Sequence, residues 1–254
     1  MEIAQKRPYW LRLHAEDVPG HGSAPRTTSA TTRLIAALNR IQNQPYEPFV
    51  TDQVRSMFLQ LSELEEPRWQ GPLANIEEAV QDPEVLRALQ AERPGYHALI
   101  RNTCSITILS GSDKINVVPP TASAELDCRI LPTQDAGEFL AGMRQRIADE
   151  QITIEEIMLF EPSQSSADTG LFRVISQVLQ ERIASVNVIP AVQTGFTDSH
   201  FFRDLGIVSY GLRPFAYPAG VESNIHGNNE QVPVDSFLQG VQIMDAIVRS
   251  YVVD

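Results

Sequence analysis

Two histidines stand where an imidazole could do chemistry. His226 lies in Ser223-Asn224-Ile225-His226-Gly227, a polar stretch rich in glycine and asparagine. Such a loop can present a ring nitrogen to a metal ion or leave the ring in solvent, and a metal site needs three or four donors in all. His21 lies in Gly20-His21-Gly22-Ser23, whose glycines allow a tight turn and leave the imidazole uncovered. From these residues alone that ring reads as facing solvent. Arg129 closes Glu125-Leu126-Asp127-Cys128-Arg129. Its guanidinium is a fork that matches a carboxylate, but Glu125 and Asp127 on the same strand face offer it an ion pair instead. Asn116, in Lys114-Ile115-Asn116-Val117-Val118-Pro119, precedes an extended Pro-Pro turn, and Thr197-Asp198 follow Gly195 in a turn. His200 reads as helix packing or a surface position. His14 and His97 have no partner spacing and read as structural. The pairs Glu65-Glu66 and Glu77-Glu78 read as solvated helix faces, and Glu155-Glu156 interrupts a strand.

The elements that must position these residues fall into two segments. A strand over 8–15 is broken at Pro19-Gly20, and a helix over 28–42 carries Leu34, Ile35, Leu38 and Ile41 on one stripe. Residues 45–100, punctuated by six prolines, read as a helical insertion with pieces at 51–65 and 75–91. Strands follow at 103–110 and 121–131. The second alternates Ala122, Ala124, Leu126, Cys128 and Ile130 with Ser123, Glu125, Asp127 and Arg129. Asp135 and Glu138 are spaced as a capping box before a helix bearing Phe139, Leu140, Met143 and Ile147, and a strand covers 152–159. The order strand-helix-strand-strand-helix-strand predicts a ferredoxin-like, four-stranded antiparallel sheet with helices on one face, an α+β fold, over 8–162.

Past a Ser-rich linker at 162–166, Asp168 is placed to cap a helix over 169–183. Apolar runs at 186–189 and 206–210 read as buried strands, and a loop spans 213–233. A last helix over 234–250 is expected to bury Phe237, Leu238, Val241, Met244 and Val248. Two short strands are too few for an independent sheet, so 163–254 reads as part of a larger α/β domain.

The 254 residues carry a formal net charge of −12 with 43% hydrophobic residues. An acidic balance of scattered charges argues against nucleic acid and anionic membrane partners. No apolar run approaches the ~20 residues of a membrane span, and the first ten residues lack a signal peptide's apolar core. The cytoplasm is the default address. Cys104 and Cys128 form no CxxC pair, and in a reducing compartment they read as small buried hydrophobes rather than a disulfide.

Taken in order, Gly20-His21-Gly22-Ser23, Lys114 to Pro119 with Glu125 to Arg129, and Gly195-Phe196-Thr197-Asp198 leading to Asn224-Ile225-His226-Gly227 resemble the M20 family of zinc-dependent metallopeptidases and aminoacylases, in particular its carboxypeptidase-S-like branch. The resemblance covers nearly all of the chain. It implies a dimerisation domain and the closing segment of a catalytic domain, with hydrolysis of an amide bond next to a free carboxylate in peptides or N-acyl amino acids. It implies that His226 closes one of two zinc sites. It also implies that His21 reaches into the partner subunit's active site to stabilise an oxyanion, and that Asn116, Arg129 and Thr197 hold substrate. The family's His-x-Asp motif, bridging Asp and Glu-Glu pair precede its dimerisation domain, whereas only residues 1–7 precede it here. The chain alone is therefore expected not to perform two-metal hydrolysis and to hold zinc weakly or not at all. The rival expectation is a non-catalytic dimerisation module derived from such an enzyme.

Overall fold

The structure, a computed structural model, describes residues 1–218, 221 and 223–252. Its elements run β1 (Glu2–Gln5), β2 (Arg7–Glu16), β3 (Gly20–His21), α1 (Ala30–Asn43), then α2 (Asp52–Ser62), α3 (Pro67–Ala74), α4 (Ile76–Ala79), α5 (Pro83–Glu92) and α6 (Pro94–Leu99). They continue with β4 (Thr103–Ser110), β5 (Val117–Val118), β6 (Thr121–Ile130), α7 (Ala136–Ile147), β7 (Ile152–Leu159), α8 (Gly170–Arg182), β8 (Ala191–Gln193), α9 (Ser199–Asp204) and α10 (Val234–Val252).

Four strands form one antiparallel sheet in the order β4-β6-β2-β7, as the period-two patterns require. The alternation of β6 buries Ala122, Ala124, Leu126, Cys128 and Ile130 against α1 and α7 and turns Ser123, Glu125, Asp127 and Arg129 to the open face. Both helices start on side-chain caps. Ser29 and Thr32 form a reciprocal box at α1, and Asp135 accepts from Glu138 N at α7. The expected insertion is five short helices, several beginning with proline at the first turn, where its missing N–H costs nothing.

Four expectations give way. Cys104 and Cys128, directly opposite across β4 and β6, are joined by a disulfide. Strand register, which spacing does not reveal, brings the two Cβ atoms together. Residues 186–189 and 206–210 are not strands. The C-terminal strand is β8, which pairs in parallel with β1, so residues 2–5 add to the C-terminal segment. The linker runs beside β1, with Ser165 N donating to Ile3 O. Thr169 rather than Asp168 caps α8, and Asp168 instead pairs with Arg173. In α10 the buried side chains are Ile243 and Ile247, which pack on Ile175, Val178 and Leu179 of α8, while the predicted stripe of Phe237, Leu238, Val241, Met244 and Val248 is exposed. The helix is apolar on two sides, and helical periodicity does not say which one packs on α8. The insertion has its own core, in which Phe58, Leu73 and Leu89 share packing with Ala4 and Val192 of the β1–β8 pair.

Candidate functional site

The site residues gather in two places, with His226 apart. The first is a corner made by β3 and β5. Gly20 and His21 pair with Val118 and Val117, and Gly22 N donates to Asn116 O at 2.8 Å. A Cβ on Gly22 would stand 3.4 Å from the Asn116 carbonyl, so a glycine lets the two strands approach this closely. His21 and Asn116 are thereby held side by side, both exposed. Ser23 N donates to His21 Nδ1 at 3.2 Å and Ser23 Oγ lies 2.8 Å away. With Nδ1 accepting from Ser23 N, the neutral ring carries its proton on Nε2.

The second place is the open face of the sheet. Arg129 Nε and Nη2 grip Asp127 Oδ1 and Oδ2 at 2.6 and 2.9 Å, and Trp10 Nε1 donates to the same Oδ1 at 2.9 Å. The ion pair anticipated for Arg129 thus forms, with Asp127 rather than Glu125. The Arg129 guanidinium carbon lies 4.8 Å from the Phe196 ring centroid. Arg129 Nη1 is left buried with no hydrogen-bond partner. An unpaired buried cationic donor is costly, which makes this nitrogen the point of the network most in want of an anion. The turn that carries Phe196 is pinned by Gln5, whose Oε1 accepts from Thr197 N at 2.9 Å and Thr197 Oγ1 at 3.3 Å. Arg129 and the 195–197 turn are therefore brought together. Sequence reasoning missed Trp10, Phe196 and Gln5 as partners. Their only signals were a Trp at a polar strand position and a register that pairs Trp10 with Asp127.

Beneath Arg129 the junction of β1 and β2 is electropositive. Lys6, fully buried, donates to Ala98 O, Arg101 O and Thr103 Oγ1 at 2.8, 2.7 and 3.0 Å. Burial, then the nearby Arg129 and Arg101, push its pKa down to about 7. His97, buried beside it, is pushed down to about 4 by burial, then by Arg101 and Lys6, and stays neutral at pH 7. Behind the turn, Arg203 Nη2 lies 2.7 Å from Glu2 Oε1, both side chains almost fully buried. Burial raises the Glu2 pKa despite that partner. Gly211 has no side chain because a Cβ there would run into the Glu2 carboxylate. His200 stacks on Phe160 at 3.9 Å and bonds Asp204, a packing role.

His226 sits alone, exposed in its loop with a left-handed φ of 62°. Among the described residues no three His, Cys, Asp or Glu side chains come together as a metal site. Among the described residues a single imidazole stands at this place, a donor set that does not fit a bound zinc pair.

Residues 3–155 match the model of the peptidase dimerisation domain of the M20 family, and the chain belongs to that family. Among curated proteins it is 27% identical over 257 residues to mouse N-fatty-acyl-amino acid synthase/hydrolase PM20D1, covering 98% of this chain and 50% of the relative. It is 23% identical over 250 residues to the probable carboxypeptidase S-like 2 of Dictyostelium discoideum, covering 98% of this chain and 47% of that protein. The chain thus spans about half the length of these relatives. The crystal structure of an M20 family metallo-carboxypeptidase, Sso-CP2 from Sulfolobus solfataricus, superposes with a TM-score of 0.62 at 17% identity, over 98% of this chain and 59% of that one, a likeness of fold.

Proposed function

We propose that this chain is the C-terminal part of a metal-dependent amidohydrolase or peptidase that cleaves an amide next to a free carboxylate. Residues 8–162 serve as the dimerisation domain and 163–254 as the closing segment of the catalytic domain. The observation that carries this reading is Arg129. Its guanidinium is oriented by Asp127, capped by Phe196, and left with one buried donor free, the arrangement a substrate carboxylate completes. Thr197, held by Gln5 beside Phe196, lines the same place. His21 and Asn116 stand on a different corner, which suits a role across a two-fold dimer, with His21 Nε2 donating to the oxyanion in the partner's site. His226 supplies one donor to a zinc ion whose other ligands come from outside this chain, and the 254 residues alone are inactive. The edge strand β4, with Ile106 and Leu109 exposed, offers the self-association surface. No helix among the described residues is long and apolar enough to cross a membrane. The Cys104–Cys128 bond suits an oxidising compartment better than a reducing one.

Two measurements test this. Isothermal titration of the chain with N-acetyl amino acids and their methyl esters should show binding of the acids only, lost in Arg129→Gln. Equal binding of the esters would remove the carboxylate role. Assays of N-acyl amino acids and dipeptides with and without Zn2+ should show no turnover by the chain. Turnover abolished by His226→Ala would mean the ligands lie within these residues after all.

A further inference from the structure

Strand β4 forms one edge of the sheet and is the least buried of its four strands. Thr103 and Cys104 are half-buried, and the residues from Ser105 to Ser110 are exposed. Its ladder to β6 is interrupted where the register slips between Ile106 and Ile108, so that Thr107 is the extra residue of a bulge and Ile108 stands opposite Glu125. Among the described residues Cys104 is the β4 side chain that packs against the main core. It is also the one tied covalently, to Cys128 directly opposite on β6. Where β2 and β6 are held by apolar packing, β4 is held by a bond.

The two sulfurs are unequally placed. Cys128 is completely buried, whereas Cys104 is half-buried on the edge strand. A thiolate arriving from solvent therefore reaches Cys104 first, and access decides which sulfur is attacked. Tyr46 Oη lies 3.9 Å from Cys104 Sγ; a disulfide sulfur carries no proton, so the phenol donates. Tyr46 is fixed there by stacking on Phe139 at 5.2 Å and by Arg146, whose guanidinium carbon lies 4.1 Å from the ring centroid. A donor already set against Cys104 Sγ also stabilises the thiolate that forms on that sulfur during exchange.

We propose that Cys104–Cys128 is a thiol–disulfide exchange site that pins β4 to the sheet and releases it when a dithiol reduces the bond. One thiolate of the dithiol attacks Cys104 Sγ; the S–S bond breaks, and Cys128 leaves with the electron pair and takes a proton. The second thiol then attacks the mixed disulfide, Cys104 leaves and takes the second proton, and the reductant becomes a disulfide. Two electrons and two protons have passed to the chain. β4 is then held by its interrupted ladder and opens locally, while β2, β6 and β7 keep their core. Under the self-association reading above, which uses the same edge, reduction also weakens the contact between two copies.

The chain has two cysteines. Purified without reductant and then denatured, it should titrate no thiol, and dithiothreitol should release both thiols with no denaturant present. Hydrogen exchange read by mass spectrometry, on chain dilute enough to be monomeric, should then rise at least about tenfold in 103–110. It should stay unchanged in 7–16 and 152–159. Cys104→Ala should exchange fast in 103–110 with or without dithiothreitol. Free thiols in the unreduced chain, a bond that yields to dithiothreitol only in denaturant, or reduction with no change in 103–110 overturns the proposal. So does exchange that rises equally in β2 and β7, since the bond would then brace the whole domain rather than pin one strand. Light scattering at high micromolar concentration should show dimer in the oxidised chain and more monomer after reduction. Monomer in both states removes the self-association reading, while the exchange result still judges the pin by itself.

Discussion

The sheet domain and the α8–α10 pair make opposite use of apolar residues. In the sheet, the central strands β2 and β6 turn one apolar face to α1 and α7 and bury the core from Leu11 to Phe139, while the edge strand β4 leaves Ile106 and Leu109 exposed. In the helix pair, α10 spends Ile243 and Ile247 on α8 while its other side leaves Phe237, Leu238, Val241, Met244 and Val248 exposed. A two-layer unit with a single apolar face per element is satisfied by one partner layer, whereas a helix apolar on both sides needs two. Stability should therefore reside in the sheet and stickiness in α10.

The largest effect that could break this contrast comes from the sheet core. Phe139→Ala, which deletes the ring packed on Tyr9 and Tyr46, should lower unfolding free energy by about 3–5 kcal/mol in urea titration. A loss near zero would mean the sheet is not the stable unit. Next is the clasp inside the C-terminal segment, between Glu2 of β1 and Arg203 of α9. Arg203→Met strands the buried Glu2 carboxylate and should cost about 3 kcal/mol, while Arg203→Met with Glu2→Leu recovers most of it. No recovery would show that the pair does not act as a unit.

A smaller effect is written in pH at the junction of the two regions. The Lys6 pKa is depressed from 10.5 to about 7 in the folded state. The unfolded chain therefore binds more protons between those values, and stability should rise with pH across that window, by on the order of 1 kcal/mol per unit. Denaturant midpoints from pH 7 to 10 should climb in the native chain and climb less in Lys6→Met. His97, depressed to about 4, adds a term in the same sense lower down, with stability falling as pH drops below 6.5. Smallest in stability is α10. Val241→Ser with Met244→Ser should change it by less than about 0.5 kcal/mol yet reduce binding of a hydrophobic dye. An unchanged dye signal would place the exposed apolar surface elsewhere.

Much of this protein is legible from its residues in order. Strict alternation in β6 assigns its faces, Asp135 marks a helix start, and four strands with two helices in that order admit few antiparallel arrangements. The motifs around His21, Asn116, Arg129, Thr197 and His226 point to a family and a reaction class. Local pattern carries these because it depends on neighbours within one turn or one pleat. What only the tertiary structure decided depends on which distant segments meet. Register put Cys104 against Cys128 and Trp10 against Asp127, two bulges moved Ile108 and Ile157 to the open face, and β8 recruited residues 2–5. It also chose which of α10's two apolar sides is buried. A side chain's hydrophobicity is a property of the residue, but its burial is a property of the partner, and the partner is set by long-range packing that no window of sequence contains.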